Sequence, residues 1–184
     1  PLANEGVSWE YAKVHLINVL DPHFSKAYWF GASFVSIFRR DTVGAKDILE
    51  CWTKTEPLLW QSHYSLGFHL FHELHDYEGG AKEILRAAQL ERAPGWLASL
   101  GVRLFSESGE AFAALQLSVP LYQSLQDSEG RERLARRIRS LNYTLQKAAW
   151  RESLEKFHSR FQRTPTSLDE LEKQTPHEKI DRLL

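Results

Sequence analysis

Four histidines crowd one stretch of the chain, His63, His69, His72 and His75, and the pairs His69/His72 and His72/His75 are each one helical turn apart. Imidazoles at that spacing can ligate zinc. A hydrolytic zinc centre of the common kind, however, uses His-Glu-x-x-His, with the two ligands four apart and the glutamate as base. The run His69-Leu70-Phe71-His72-Glu73-Leu74-His75 matches neither that order nor its inverse, and no cysteine accompanies it. Hydrogen bonding, or a response to pH near the ordinary imidazole value, suits these rings better.

Five arginines, Arg131, Arg133, Arg136, Arg137 and Arg139, form a second group. On a helix they wrap around the apolar stripe Leu134/Ile138/Leu141, which reads as a solvated face. The sharper alternative is contact with an acidic protein or with lipid headgroups. No aromatic platform interleaves with them, so no nucleic acid is expected as a partner. Gly79-Gly80 lacks both the Gly-Lys-Ser/Thr continuation and the preceding strand of a phosphate loop. Cys51, the lone cysteine, reads as a buried seam thiol, and Trp29 and Trp60 as packing residues. No Ser-His-Asp or paired-carboxylate arrangement stands out. The reading is therefore non-enzymatic, with no catalytic residue, metal or cofactor.

The chain of 184 residues is 42% hydrophobic and 12% aromatic, which excludes a disordered segment. Its net charge of −1 creates no global field for a polyanion. No apolar run reaches the roughly 18 residues that span a bilayer. The chain starts at Pro1 and contains no methionine, so we expect a processed form or a fragment. A cytoplasmic location is expected, or a membrane-associated one if an N-terminal anchor has been removed.

The apolar spacing is helical almost throughout, and no alternating run bounded by hairpin turns signals a strand. Helices are predicted over about 8–20, 24–38, up to 55, 58–74, 77–91, 95–106 and 109–125, with Pro120 expected to kink the last. A long helix over 129–162 follows, ended by Arg163-Thr164-Pro165. Ser167-Leu168-Asp169-Glu170 has capping-box spacing and starts a short final helix. The polar tail after Gln174 is expected to fray.

These helices repeat. Ala45-Lys46-Asp47-Ile48-Leu49 recurs as Ala81-Lys82-Glu83-Ile84-Leu85, and Phe30-Gly31, Leu66-Gly67 and Leu100-Gly101 fall in phase with it. Pro22, Pro57 and Pro94 close the units. A period near 35 marks stacked helical hairpins. Small residues let paired helices approach, and Phe34, Leu49 and Trp52, or Leu70, Leu85 and Ala88, fill the seams. The pattern resembles the tetratricopeptide repeat over about residues 7–126. More narrowly, the chain is similar to a group of poorly characterised bacterial repeat proteins, through Pro165-Thr166-Ser167-Leu168-Asp169-Glu170-Leu171. Members of that group often carry an N-terminal membrane anchor. The resemblance implies an all-α superhelix of about three hairpins over 1–126, and a helical extension with a long capping helix over 127–184. The first helix sits where a second repeat helix belongs, so its partner is expected upstream.

The resemblance also places the first helix of each hairpin on a concave face. Mapped by the glycine register, that face presents Tyr28, Ala32 and Val35, then Tyr64, Phe68, Phe71 and His72, then Ala98, Val102 and Phe105. We expect this apolar trough to hold a helix or extended peptide of a protein partner, with Tyr28, Tyr64, Phe68, Phe71, His72 and Phe105 as its contacts. The chain's own helix over 129–162, through Leu154, Phe157 and Phe161, is the competing occupant. The positions do not supply the Lys, Arg and Asn with which this repeat family clamps acidic chaperone tails. The alternative function is an assembly subunit that oligomerises through its first helix or convex face.

Overall fold

Asp41, Asp76 and Asp127 start three of the helices in the same way. Each carboxylate accepts the backbone N–H of a glycine three residues on, Gly44 (2.8 Å), Gly79 (2.8 Å) and Gly130 (2.7 Å). A carboxylate there satisfies an orphan N–H and complements the positive end of the helix dipole. A Cβ at any of the three would lie within 3 Å of the capping carboxylate as placed, so a larger residue there makes the aspartate side chain shift. At the first two turns the residue before the aspartate, Arg40 or His75, adopts a left-handed backbone (φ 53° and 55°), which reverses the chain between helices.

The computed structural model describes residues 8–175. Within them the chain forms α1 (Trp9–Leu20), α2 (Ser25–Arg39), α3 (Thr42–Thr55), α4 (Trp60–Glu73), α5 (Tyr77–Ala88), α6 (Trp96–Glu107), α7 (Ala111–Ser124), α8 (Ser128–Phe161) and α9 (Leu168–Gln174). No strand occurs among the described residues, and successive helices pack side by side, so the fold is all-α and repeat-like. Helix α7 runs on through Pro120. Of the tail expected to fray, Thr175 is buried and donates to the Ser153 carbonyl at 3.2 Å, and the rest lies outside the described residues. No helix among them is long and apolar enough to cross a membrane.

The core is built in three blocks. Tyr28, Val35, Ala45, Ile48 and Trp52 join α2 to α3, with Leu66 and Leu70 of α4 closing the block. Ala81, Ile84, Leu97 and Leu104 join α4, α5 and α6. Ala98, Val102, Leu115, Leu134, Ile138 and Leu141 join α6, α7 and the first half of α8. Helix α4 crosses α5 at close range. A Cβ on Gly67 would lie 2.9 Å from the Gly80 carbonyl, and one on Gly80 would lie 2.9 Å from that of Gly67. Gly79-Gly80 is thus a helix cap and a helix crossing.

The glycine register misleads at the ends of the stack. Gly67 faces the following helix, α5, but Gly31 faces Val14 of the preceding α1 and Gly101 faces Leu85 of the preceding α5. Helix α2 is therefore rotated relative to the expected mapping. Tyr28 turns into the core, 1% exposed, where it stacks on Trp52 at 5.9 Å. Val35, Ala98 and Val102 are equally buried, whereas Phe34, expected in the seam, is exposed.

Candidate functional site

With Tyr28, Ala32, Val35 and Ser36 committed to the core side of α2, its neighbouring positions Trp29, Ser33 and Ile37 form one wall of a cleft. Helix α4 forms the other. Its buried face carries His63, Leu66, Gly67, His69 and Leu70, which leaves Tyr64, Ser65 and Phe68 facing α2. Leu49 of α3 lies at the floor. The cleft comprises a hollow of about 240 Å³ beside Phe68 and a second of about 450 Å³ beside Trp52 and Trp60. Trp29, Tyr64 and Ser65 line both. None of the residues lining either hollow comes from α8.

Rings ascend α4 at one per turn: Trp60, Tyr64, Phe68 and His72. Trp60–Tyr64 and Tyr64–Phe68 centroids are each 6.2 Å apart, and His72 stacks on Phe68 at 5.0 Å. Trp29 is 52% exposed and Phe68 40%. Large aromatic surface left in water at a recess is the feature that interface anchors share. At the floor, two buried polar groups have no hydrogen-bond partner among the described residues: Ser36 Oγ and Trp52 Nε1, on residues 6% and 3% exposed. An unpaired buried group costs roughly 1–3 kcal/mol, so each asks for an explanation.

The expected site residues divide. Tyr64 and Phe68 line the cleft, and His72 sits on its rim. Phe71 and Phe105 are half-buried, packed against the α4–α6 block, and line neither hollow. Tyr28 belongs to the core, as described above. Trp29, read from sequence as a packing residue, is the cleft's most exposed ring, and Ser36 and Trp52 were not expected at its floor. The ring ladder was open to detection as an i, i+4 pattern, whereas the unpaired groups have no sequence signal.

The histidines are directed to different tasks. His63 is buried with Nδ1 2.7 Å from Glu83 and Nε2 3.0 Å from the Pro57 carbonyl. His69 Nε2 donates to the Thr42 carbonyl at 2.8 Å, and burial pushes its pKa below the usual value. His72 pairs with Glu73 at 2.9 Å, and His75 is the left-handed turn residue.

A second recess, about 600 Å³, lies between α6 and α8. Trp96, Ser99, Leu100 and Arg103 line one side, and Arg133, Arg136, Arg137 and Ser140 the other. Arg133 and Arg136 are each paired one turn back, with Glu129 at 2.5 Å and Glu132 at 2.6 Å. The recess adjoins the aromatic cleft, because Trp96 meets Tyr64 edge to face at 5.5 Å. No protein-family model, curated protein or solved structure matched the chain, so the likeness to the tetratricopeptide repeat stands on its residues alone.

Proposed function

We propose that the protein is a non-enzymatic scaffold that holds an apolar segment of a protein partner in the α2/α4 cleft. The observation that carries this is the pairing of exposed rings with unpaired polar groups beneath them. Trp29, Tyr64 and Phe68 supply apolar contact area, and Trp52, whose buried Nε1 has no hydrogen-bond partner among the described residues, lines the second hollow. Ring-to-ring contact along α4 restricts the rotamers in advance, which lowers the entropy lost on binding.

Trp29→Ser with Phe68→Ser tests this, because both rings are exposed and their loss leaves the three core blocks intact. Capture from extract of the native cells is run with the intact chain and the double variant, with circular dichroism as a check on folding. A partner held by the intact chain and lost by the folded variant is the expected result. Equal retention by both would sink the cleft as the binding surface.

A second reading rests on α1 and α2. Leu16, Val19, Leu20, Phe30, Phe34 and Phe38 are all exposed there. So much exposed apolar surface fits an assembly subunit that oligomerises through its first helices. Light scattering over a concentration series separates the readings: a mass that rises with concentration and falls back in Phe34→Ser/Phe38→Ser favours assembly.

A further inference from the structure

We propose that the α6/α8 recess is a subsite for acidic side chains of the same partner, so that one bound segment carries apolar residues at one end and Asp or Glu at the other. This rests on the scaffold reading and specifies the partner's chemistry.

Arg137 carries the argument. It is half-buried, and it makes no ion pair among the described residues. Arg103, across the recess, is also half-buried; its Nε forms a loose ion pair with Glu107 at 3.5 Å, without hydrogen-bond geometry, and so can be shared with an incoming acid. A guanidinium drawn out of water without a carboxylate is costly, and its planar fork matches a carboxylate with two parallel hydrogen bonds. Arg133 and Arg136 stand exposed beside them. Their pairs with Glu129 and Glu132 are of the kind that contributes little, so either arginine can turn to an incoming acid at small cost. Ser99 and Ser140 add hydroxyl donors, and no carboxylate lines the recess.

The surroundings favour a peptide over a polyanion. Glu107, Glu129 and Glu132 flank the arginines, which repels a continuous phosphate chain but leaves room for separate carboxylates. Trp96 is the one ring in the lining, too few for a run of stacked bases. Continuity supplies the link to the cleft. Tyr64 lines both aromatic hollows, Trp96 lines the arginine recess, and the two rings touch. At about 3.3 Å per residue, an extended segment crosses that contact in two or three residues.

The test is selection from a displayed library of random peptides on three proteins: the intact chain, Arg103→Gln/Arg137→Gln, and Trp29→Ser/Phe68→Ser. The intact chain should enrich peptides in which aromatic or aliphatic residues adjoin Asp or Glu. The arginine variant should keep the apolar enrichment, lose the acidic one, and bind a selected peptide about tenfold more weakly or worse with a shallower salt dependence. Apolar enrichment without acid on the intact chain overturns this inference and leaves the cleft standing. Acidic enrichment alone, or no enrichment, overturns both. Tight binding of oligouridylate or of phosphatidylserine vesicles, lost in Arg103→Gln/Arg137→Gln while peptides fail, overturns the acidic-peptide assignment in favour of a polyanion.

Discussion

The α2/α4 cleft and the α6/α8 recess occupy corresponding places, each between one helix and the second helix after it along the chain, yet their chemistry is opposite. The cleft presents Trp29, Trp60, Tyr64 and Phe68, with charge only at its margins in Lys26 and Glu73. The recess presents four arginines and a single ring. What they share is a buried or half-buried polar group without a partner among the described residues: Ser36 Oγ and Trp52 Nε1 in one, Arg137 in the other. The repeat decides where recesses open, and the few residues that point outward from each first helix decide what a recess can hold.

The strongest way to break that comparison is at Trp52, which serves core and cleft together. Trp52→Ala removes a buried ring stacked on Tyr28, so unfolding should become easier by about 3–5 kcal/mol, read from denaturant midpoints. Trp52→Phe keeps a ring against Tyr28 and deletes the unpaired N–H. It should retain most of the stability while binding of a selected peptide weakens. If Trp52→Phe binds as well as the intact chain, the Nε1 donor plays no part in recognition.

A smaller effect separates the two regions by pH. Burial is the main cause that holds the His69 pKa below its ordinary value, assisted by Lys46 and opposed by the Thr42 carbonyl and Glu73. The unfolded chain therefore takes up its proton first as pH falls. The stability that neutral His69 contributes is complete above about pH 6.5 and is lost on acidification toward the folded value, levelling off below it. His69 lines the cleft, so this loss falls on the aromatic side, whereas guanidinium groups keep their charge throughout. Thermal melts from about pH 7 to 5 should show a slope that shrinks in His69→Gln, whose amide can still donate to Thr42. An unchanged slope would assign the acid sensitivity elsewhere.

The order and extent of the helices were legible, because apolar periodicity and the Pro and Gly breaks are local signals. The Asp-x-x-Gly caps at Asp41, Asp76 and Asp127 were equally present, but aspartates in turns are read first as turn residues. At the last helix the Ser167 hydroxyl accepts Glu170 N–H at 3.2 Å as its spacing predicts, although Glu170 reaches back to Thr166 instead of Ser167. The lining of the candidate cleft was half legible. Tyr64 and Phe68 were found because α4 pairs with α5 through Gly67, as the glycine register assumes. Tyr28 was misplaced because Gly31 receives α1 instead of α3, and rotating a helix by one position exchanges a groove residue for its neighbour, here Trp29. Which helix a glycine faces depends on long-range packing that periodicity does not encode. The absence of a partner for Trp52 Nε1 or Arg137 is visible only when every neighbour has been placed.

The finest distinction concerns Arg137. If it were a structural member, its removal would lower stability, as loss of a buried pair does. Half-buried and without a carboxylate, it should instead cost the free protein something, and Leu134 and Ile138 beside it already belong to the core. Arg137→Leu replaces the charge with a side chain that this helix face can pack, so the melting temperature should stay level or rise by about 2 °C. The same variant should lose affinity for acid-bearing peptides and keep its affinity for purely apolar ones. A fall of several degrees would make Arg137 part of the α6–α8 packing, and the recess would then be a feature of the fold with no acidic ligand to receive.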